Sequence, residues 1–404
     1  MSSREMRLGR RLHHARFLQP QLPAFWLFVL IVGLTGIVSL AEQSLYRSMS
    51  PSGWALSWFL LALYGLPVVL VVYVLDLYER EPVPLLVAAF VWGAIAATTL
   101  SAIGNAGWGL TVARLGGPEF AARWTAALTA PFVEEILKGC GVVLIYLIAR
   151  DEVDDVMDGF VYGAICGLGF AIVEDVFYFM AVFGGQPSGV VQGFWLRVVA
   201  GGLYGHVLYT GLVGMAIGVV VSRRATEPLR HRLLVGAGLC ALAALAHFVW
   251  NSPLLTLFPA EPWTGADYLL VVVATAVKGL PLLVFVAIAV TLARRRERRW
   301  LHQALAGEIG LDGISAAELH LLEHPRRRRA ARRAMRRRAG PRAAGLLYRL
   351  QREQVNLAMV ASRVGDGEDP ALSRQRAYCR SLRDALRAIP AAAPAGAEGS
   401  EGRG

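Results

Sequence analysis

Eight runs of mostly apolar residues follow one another in the first 293 positions, at about 24–43, 53–77, 84–104, 124–149, 158–184, 193–222, 233–256 and 268–293. A stretch of about 20 such residues is long enough to cross a bilayer as a helix. In hydrocarbon the backbone must satisfy its own hydrogen bonds, which a helix does within one segment. The chain is therefore expected to be all-α: a polytopic membrane bundle of about eight transmembrane helices. A basic, partly helical C-terminal tail follows it. Four regions result: a basic N-terminus at 1–23, a membrane domain at 24–293, an arginine-rich helical region at 294–389, and a disordered end at 390–404.

Arginine sets the expected orientation, because short loops rich in Lys and Arg stay in the cytoplasm. The N-terminus (Arg4, Arg7, Arg10, Arg11, Arg16), the loop with Arg223, Arg224, Arg230 and Arg232, and the tail from Arg294 fall on one side of eight spans. The alternate loops near 44–52, 185–192 and 257–267 hold one arginine between them. Both termini are thus expected in the cytoplasm, and the protein in a plasma membrane. The first apolar run is too long for a signal peptide and no small-residue cleavage site follows it, so it reads as an uncleaved span. The loop at 105–123 is the least defined, with a half-span there as the alternative. Glycines at four-residue spacing (Gly163 and Gly167, Gly201 and Gly205, Gly214 and Gly218) let helices approach closely.

Within this apolar chain a few polar groups stand out. The fourth run carries Glu134, Glu135 and Lys138, and each such group costs about 2.5–3.5 kcal/mol at a helix centre. Only two lysines occur, Lys138 and Lys278, and both lie in apolar runs; every other cation among 41 is arginine. That bias points to a GC-rich, bacterial genome. The fifth run has Glu174 and Asp175, the sixth His206, and the seventh His247 and Asn251. Taken at the middles of their runs, these groups share one depth to within about one helical turn.

Spacing suggests roles. Glu134 and Lys138 are i,i+4, on one face and in the favourable order, whereas Glu135 points about 100° away. His247 and Asn251 are again i,i+4 and can together grip a metal or a developing oxyanion. Histidines with carboxylates are zinc-type ligands, and a catalytic zinc uses three protein ligands. Glu174, His206 and His247 are the better metal candidates, with Glu134 or Glu135 as general base. A metal-free route through the same residues stays open. No HExxH, no Gly-x-Ser-x-Gly and no paired intramembrane aspartates are present. The four cysteines lack CxxC spacing, so neither a disulfide framework nor a thiolate zinc site is indicated.

At these residues the chain resembles the PrsW family of intramembrane proteases, related to the type II CAAX prenyl endopeptidases and the Abi/CPBP proteins. The matching pieces are Glu134-Glu135-x-x-Lys138, the stretch from Asp158 through Gly163, Gly167 and Phe170 to Glu174, His206 followed by Thr210 and Gly214, and His247-x-x-x-Asn251. The resemblance covers roughly 76–290. It implies a helical-bundle protease, with Glu134 and Glu135 catalytic and with Glu174, His206, His247 and Asn251 lining the site. It also implies a single-span membrane protein substrate of the anti-sigma-factor kind. Asp175 stands where the family pattern has asparagine, and Glu174 where CAAX-type relatives carry histidine.

Rival classes use the same groups. Midplane carboxylates, lysines and histidines also serve proton relays, and Lys278-Gly279-Leu280-Pro281 is expected to mark a broken helix of a proton- or ion-coupled transporter. No internal repeat supports that class. A non-catalytic scaffold would not need the full polar set. In the tail, Ser315 and Glu318 form a capping box, and Leu347, Leu350, Leu357 and Ala361, then Tyr378, Leu382 and Ile389, recur at helical spacing. The arginine runs 326–329 and 336–338 are expected to meet anionic lipid at the inner leaflet. No reading motif accompanies them, so nucleic acid is not the expected partner.

Overall fold

The computed structural model describes residues 17–75, 81–150, 152–153, 155–201, 205–222, 227–254, 264–311, 313–364 and 369–390. The arginines before residue 17, Arg223, Arg224, most of the 257–267 loop and the end from 391 lie outside the described residues. The described residues form helices and no strand. The chain divides into two units, with the boundary between Ala293 and Arg294.

In the first unit α1 is Pro23–Met49, α2 Pro51–Leu75, α3 Val83–Gly116, α4 Pro118–Ile148 and α5 Val156–Val182. After these come α6, Pro187–Gly193 extended by a π-helical stretch Phe194–Val199, then α7 His206–Val221, α8 Leu229–Asn251 and α9 Gly265–Ala306, whose last turns belong to the second unit. Six of these, α1, α2, α3, α5, α8 and α9, are long and apolar enough to cross a membrane, and each coincides with one expected span. Their outward faces carry Leu34, Ile37, Leu40, Leu63, Leu66 and many similar residues exposed. Such a surface is stable against lipid and not against water. The chain is a multi-pass membrane protein.

Three expectations are corrected. The stretch at 105–123, expected as a loop or a half-span, is helix: α3 runs to Gly116 and α4 starts at Pro118, with Gly117 (φ 81°) as the whole link. Positive φ suits glycine there, and proline suits the first helical turn after it. The expected span at 193–222 is not continuous, since α6 ends at Val199 and α7 begins at His206. Gly201 and Gly205 therefore lie in the break and do not form a helix-packing pair. Finally, Lys278-Gly279-Leu280-Pro281 does not break α9, which continues through it.

The other glycines do what their spacing predicts. On α5, a Cβ at Gly159, Gly163 or Gly167 would lie 2.2 Å from the carbonyl oxygen of Gly214, Thr210 or His206 on α7. The two helices thus touch backbone to backbone along an antiparallel seam, and the seam seats His206. A Gly163→Ala variant is expected to lose about 1–3 kcal/mol, the usual cost of overpacking. Thermal unfolding in detergent reads this, and Gly107→Ala, with open space around it, should show no loss. At its start α5 is fixed by a capping box, in which Asp155 accepts from the Met157 N–H and Asp158 from the Asp155 N–H.

The second unit has its own apolar core, including Leu301, Leu305, Leu319, Leu322, Leu350, Leu357, Cys379 and Leu382. Its helices after α9 are α10 Ala316–Leu322, α11 Pro325–Val364, bent at Gly340, and α12 Pro370–Arg387. The Ser315–Glu318 capping box forms as expected. Burial alone would raise the Glu318 carboxyl, but hydrogen bonds from Arg383 and Ser315 outweigh it and hold it below the usual range. Arg383 donates to both carboxylate oxygens of Glu318, at 2.8 and 2.7 Å.

Candidate active site

The buried polar cluster forms where α4, α7 and α8 meet. Glu134, Glu135, Lys138 and His247 are each no more than 5 % exposed. One ligand atom from each of Glu134, Glu135, His206 and His247 can be chosen so that all lie within 4.8 Å of one another. Apolar packing shapes the pocket: His247 stacks on Tyr209 with ring centroids 4.7 Å apart, and His206 meets Phe170 edge-on at 4.8 Å.

Lys138 is the hub. Its Nζ donates to Glu135 Oε1 at 2.7 Å and to Glu134 Oε2 at 3.4 Å, lies 2.9 Å from His206 Nδ1, and sits 3.8 Å above the centre of the Phe170 ring. The two carboxylates differ in how they are held. Glu135 is fixed on both oxygens, because Thr210 Oγ1 donates to Oε2 at 2.9 Å. Glu134 accepts from Asn105 Nδ2 at 3.0 Å on Oε1. Its Oε2 keeps only the longer lysine contact and lies 3.8 Å from both His206 Nδ1 and His247 Nε2.

With Lys138 donating to His206 Nδ1, the other ring nitrogen carries the hydrogen and donates to Glu174 Oε2 at 3.0 Å. Glu174, expected among the metal ligands, thus stands one step out and orients His206. Arg197 on α6 holds it there. The guanidinium donates to Glu174 Oε2 at 2.7 Å and to Asp175 Oδ1 at 2.5 Å, and lies 3.5 Å from the centre of the Tyr178 ring. The extra negative charge of Asp175 is matched by Arg197. Asn251, on the last turn of α8, has its amide nitrogen 3.4 Å from the Ala126 carbonyl and is not drawn into the cluster. Lys278 lies elsewhere, near the carbonyls of Trp250 and Ser252 at 3.4 and 3.3 Å, where a cation suits the C-terminal end of α8. Asn105, Tyr209 and Arg197 are not singled out by spacing. Only Arg197 carries a signal, as an arginine within an apolar run.

The donor set fits a divalent cation. Two carboxylates against one ammonium leave a surplus of negative charge, and two imidazoles add neutral donors. His247 Nδ1 is buried with no hydrogen-bond partner among the described residues, although Glu135 Oε1 lies 3.2 Å away off the bonding direction. A ring nitrogen kept buried and unused costs free energy unless something takes its lone pair. A histidine whose far nitrogen is held by a carboxylate, as Glu174 holds His206, is the usual arrangement behind a metal-binding imidazole.

Comparison with known proteins places this stretch in a family. The family described as PrsW family intramembrane metalloprotease matches residues 81–280. Protease PrsW of Bacillus subtilis (strain 168) is 31% identical over 106 residues, which cover 26% of this chain and 45% of that protein. The matched stretch thus spans less than half of that relative. No solved structure matches significantly. Residues 81–280 hold α3 to α8 with every member of the cluster, and the chain belongs to the PrsW family of intramembrane metalloproteases.

Proposed function

We propose that the chain is a zinc-dependent intramembrane endopeptidase that cleaves membrane-anchored protein substrates with glutamate-activated water. The observation that carries this reading is the convergence of Glu134, Glu135, His206 and His247 in one buried group inside a membrane bundle. His206, His247 and Glu135 would hold the ion, which would take the His206 Nδ1 lone pair from Lys138 and leave the ammonium to the carboxylates. When bound, zinc supplies Lewis acidity at the scissile carbonyl.

The remaining work falls to the chain's own groups. Glu134 Oε2, the least constrained carboxylate oxygen, takes a proton from the attacking water and returns it to the amine as the C–N bond breaks. Asn105 orients this carboxylate through its other oxygen. Lys138 and Thr210 lock Glu135, and Glu174 fixes the His206 tautomer with Nδ1 toward the cluster. Asn251 reaches the oxyanion on release from the Ala126 carbonyl.

The substrate is a single-span membrane protein of the anti-sigma-factor kind. The protease sits in a bacterial plasma membrane with both termini in the cytoplasm. Membrane proteomes of cells expressing the wild type and a Glu134→Gln/Glu135→Gln variant test the reading: truncated single-span proteins should appear only with the wild type. Absence of any such product, at equal expression and with every growth condition sampled, counts against proteolysis. For the metal, a zinc chelator should stop cleavage by the purified protein and added zinc should restore it. Full cleavage by protein shown to be metal-free would remove zinc from the mechanism.

A further inference from the structure

The second unit contains a feature that the protease chemistry does not use. α11 bends at Gly340 (φ 82°), and its two arms border an open cleft of about 570 Å³. Arg329, Arg332, Arg333 and Arg336 line one side, and Ala344 and Gly345 lie on the other. The arginines stand at i, i+3, i+4 and i+7, the spacing that puts side chains on one helix face. No carboxylate lines the cleft. Like charges so spaced repel one another, so the face favours a multivalent counter-anion.

The cleft is partly organised in advance. Arg332 Nη1 donates to Gln351 Oε1 at 3.2 Å, and its guanidinium lies 5.1 Å from the centre of the Tyr348 ring. Gln351 is 3% exposed, and its Nε2 has no hydrogen-bond partner among the described residues. At Gly345 a Cβ would meet nothing within 4 Å, which leaves the opposite wall open. Guanidinium groups match phosphate oxygens two at a time. Four of them spread over two helical turns, about 10 Å, reach further than one phosphate group.

We propose that this cleft binds a ligand carrying two or more phosphate groups. That chemistry has two sources, the headgroup of a diphosphate phospholipid or a soluble polyphosphate. The proposal stands independently of the protease reading.

The test is calorimetry on the full-length protein in detergent micelles. One arm titrates inorganic tripolyphosphate, and the other titrates cardiolipin, with two phosphates per lipid, in the same detergent. Arg333→Gln/Arg336→Gln should weaken binding about thirtyfold, taking a loss of about five- to sixfold per arginine contact. Arg337→Gln/Arg338→Gln removes the same charge outside the cleft and should change affinity less than threefold. Gly345→Leu fills the cleft at constant charge and should weaken binding at least as much, which guards against a folding defect in the arginine variant. Binding of tripolyphosphate alone assigns a soluble source, and binding of cardiolipin alone a lipid. No binding of either probe, or equal losses in the two arginine variants, overturns the proposal.

Discussion

Glu134→Gln is expected to accumulate in the membrane at the wild-type level and to lose cleavage by about 10²–10⁴-fold, the usual worth of a positioned general base. The amide keeps the size of the carboxylate and can still accept from Asn105, but it cannot take a proton from water. Folding should survive because Lys138 retains its closer partner, Glu135, at 2.7 Å. The measurement is cleavage of a reporter substrate by equal amounts of purified protein. Cleavage within tenfold of the wild type would move the base to another residue, with Glu135 next in line.

Lys138→Met is expected to act on stability as well as on activity. The ammonium is fully buried and touches both carboxylates and His206. Removing one partner of a buried ion pair costs about 3–5 kcal/mol, because the remaining charge is left uncompensated. Methionine keeps the apolar bulk against Phe170, so packing loss is a minor part. Thermal unfolding in detergent should shift down strongly for Lys138→Met. The double variant Lys138→Met/Glu135→Gln, which also removes one carboxylate charge, should recover part of the loss and no activity. An unchanged melting temperature for Lys138→Met would mean that some other group balances Glu134 and Glu135.

Much of this was legible in the residues. Among the described residues, apolar length found all six helices that qualify as spans, and polar groups in apolar runs found Glu134, Glu135, Lys138, His206 and His247, which the fold brings together. What was missed has a common cause. A hydropathy window of about 20 residues averages over a short break, so the stop that follows Val199 and the fresh start at His206 are invisible to it. Depth assigned from the middle of a straight span then placed His206 mid-helix, whereas it opens α7. Partnerships between helices leave no period along the chain, which hid Asn105 behind Glu134 and Arg197 behind Glu174. The tail showed helical spacing but not that its faces close on a core of their own.

The single-residue link at Gly117 bears on how the chain enters the bilayer. α4 alone, with Glu134, Glu135 and Lys138 in its apolar stretch, is a poor candidate for insertion, since each group opposes it by about 2.5–3.5 kcal/mol. It does not have to enter alone. With no loop between them, α3 and α4 must be threaded as a hairpin. α3 contributes a strongly apolar half and brings Asn105 to Glu134 and Trp92 Nε1 to the Leu137 carbonyl. A spacer placed after Gly116 would uncouple the two segments during synthesis, and α4 would then face the translocation machinery without the neighbour that makes its charges tolerable.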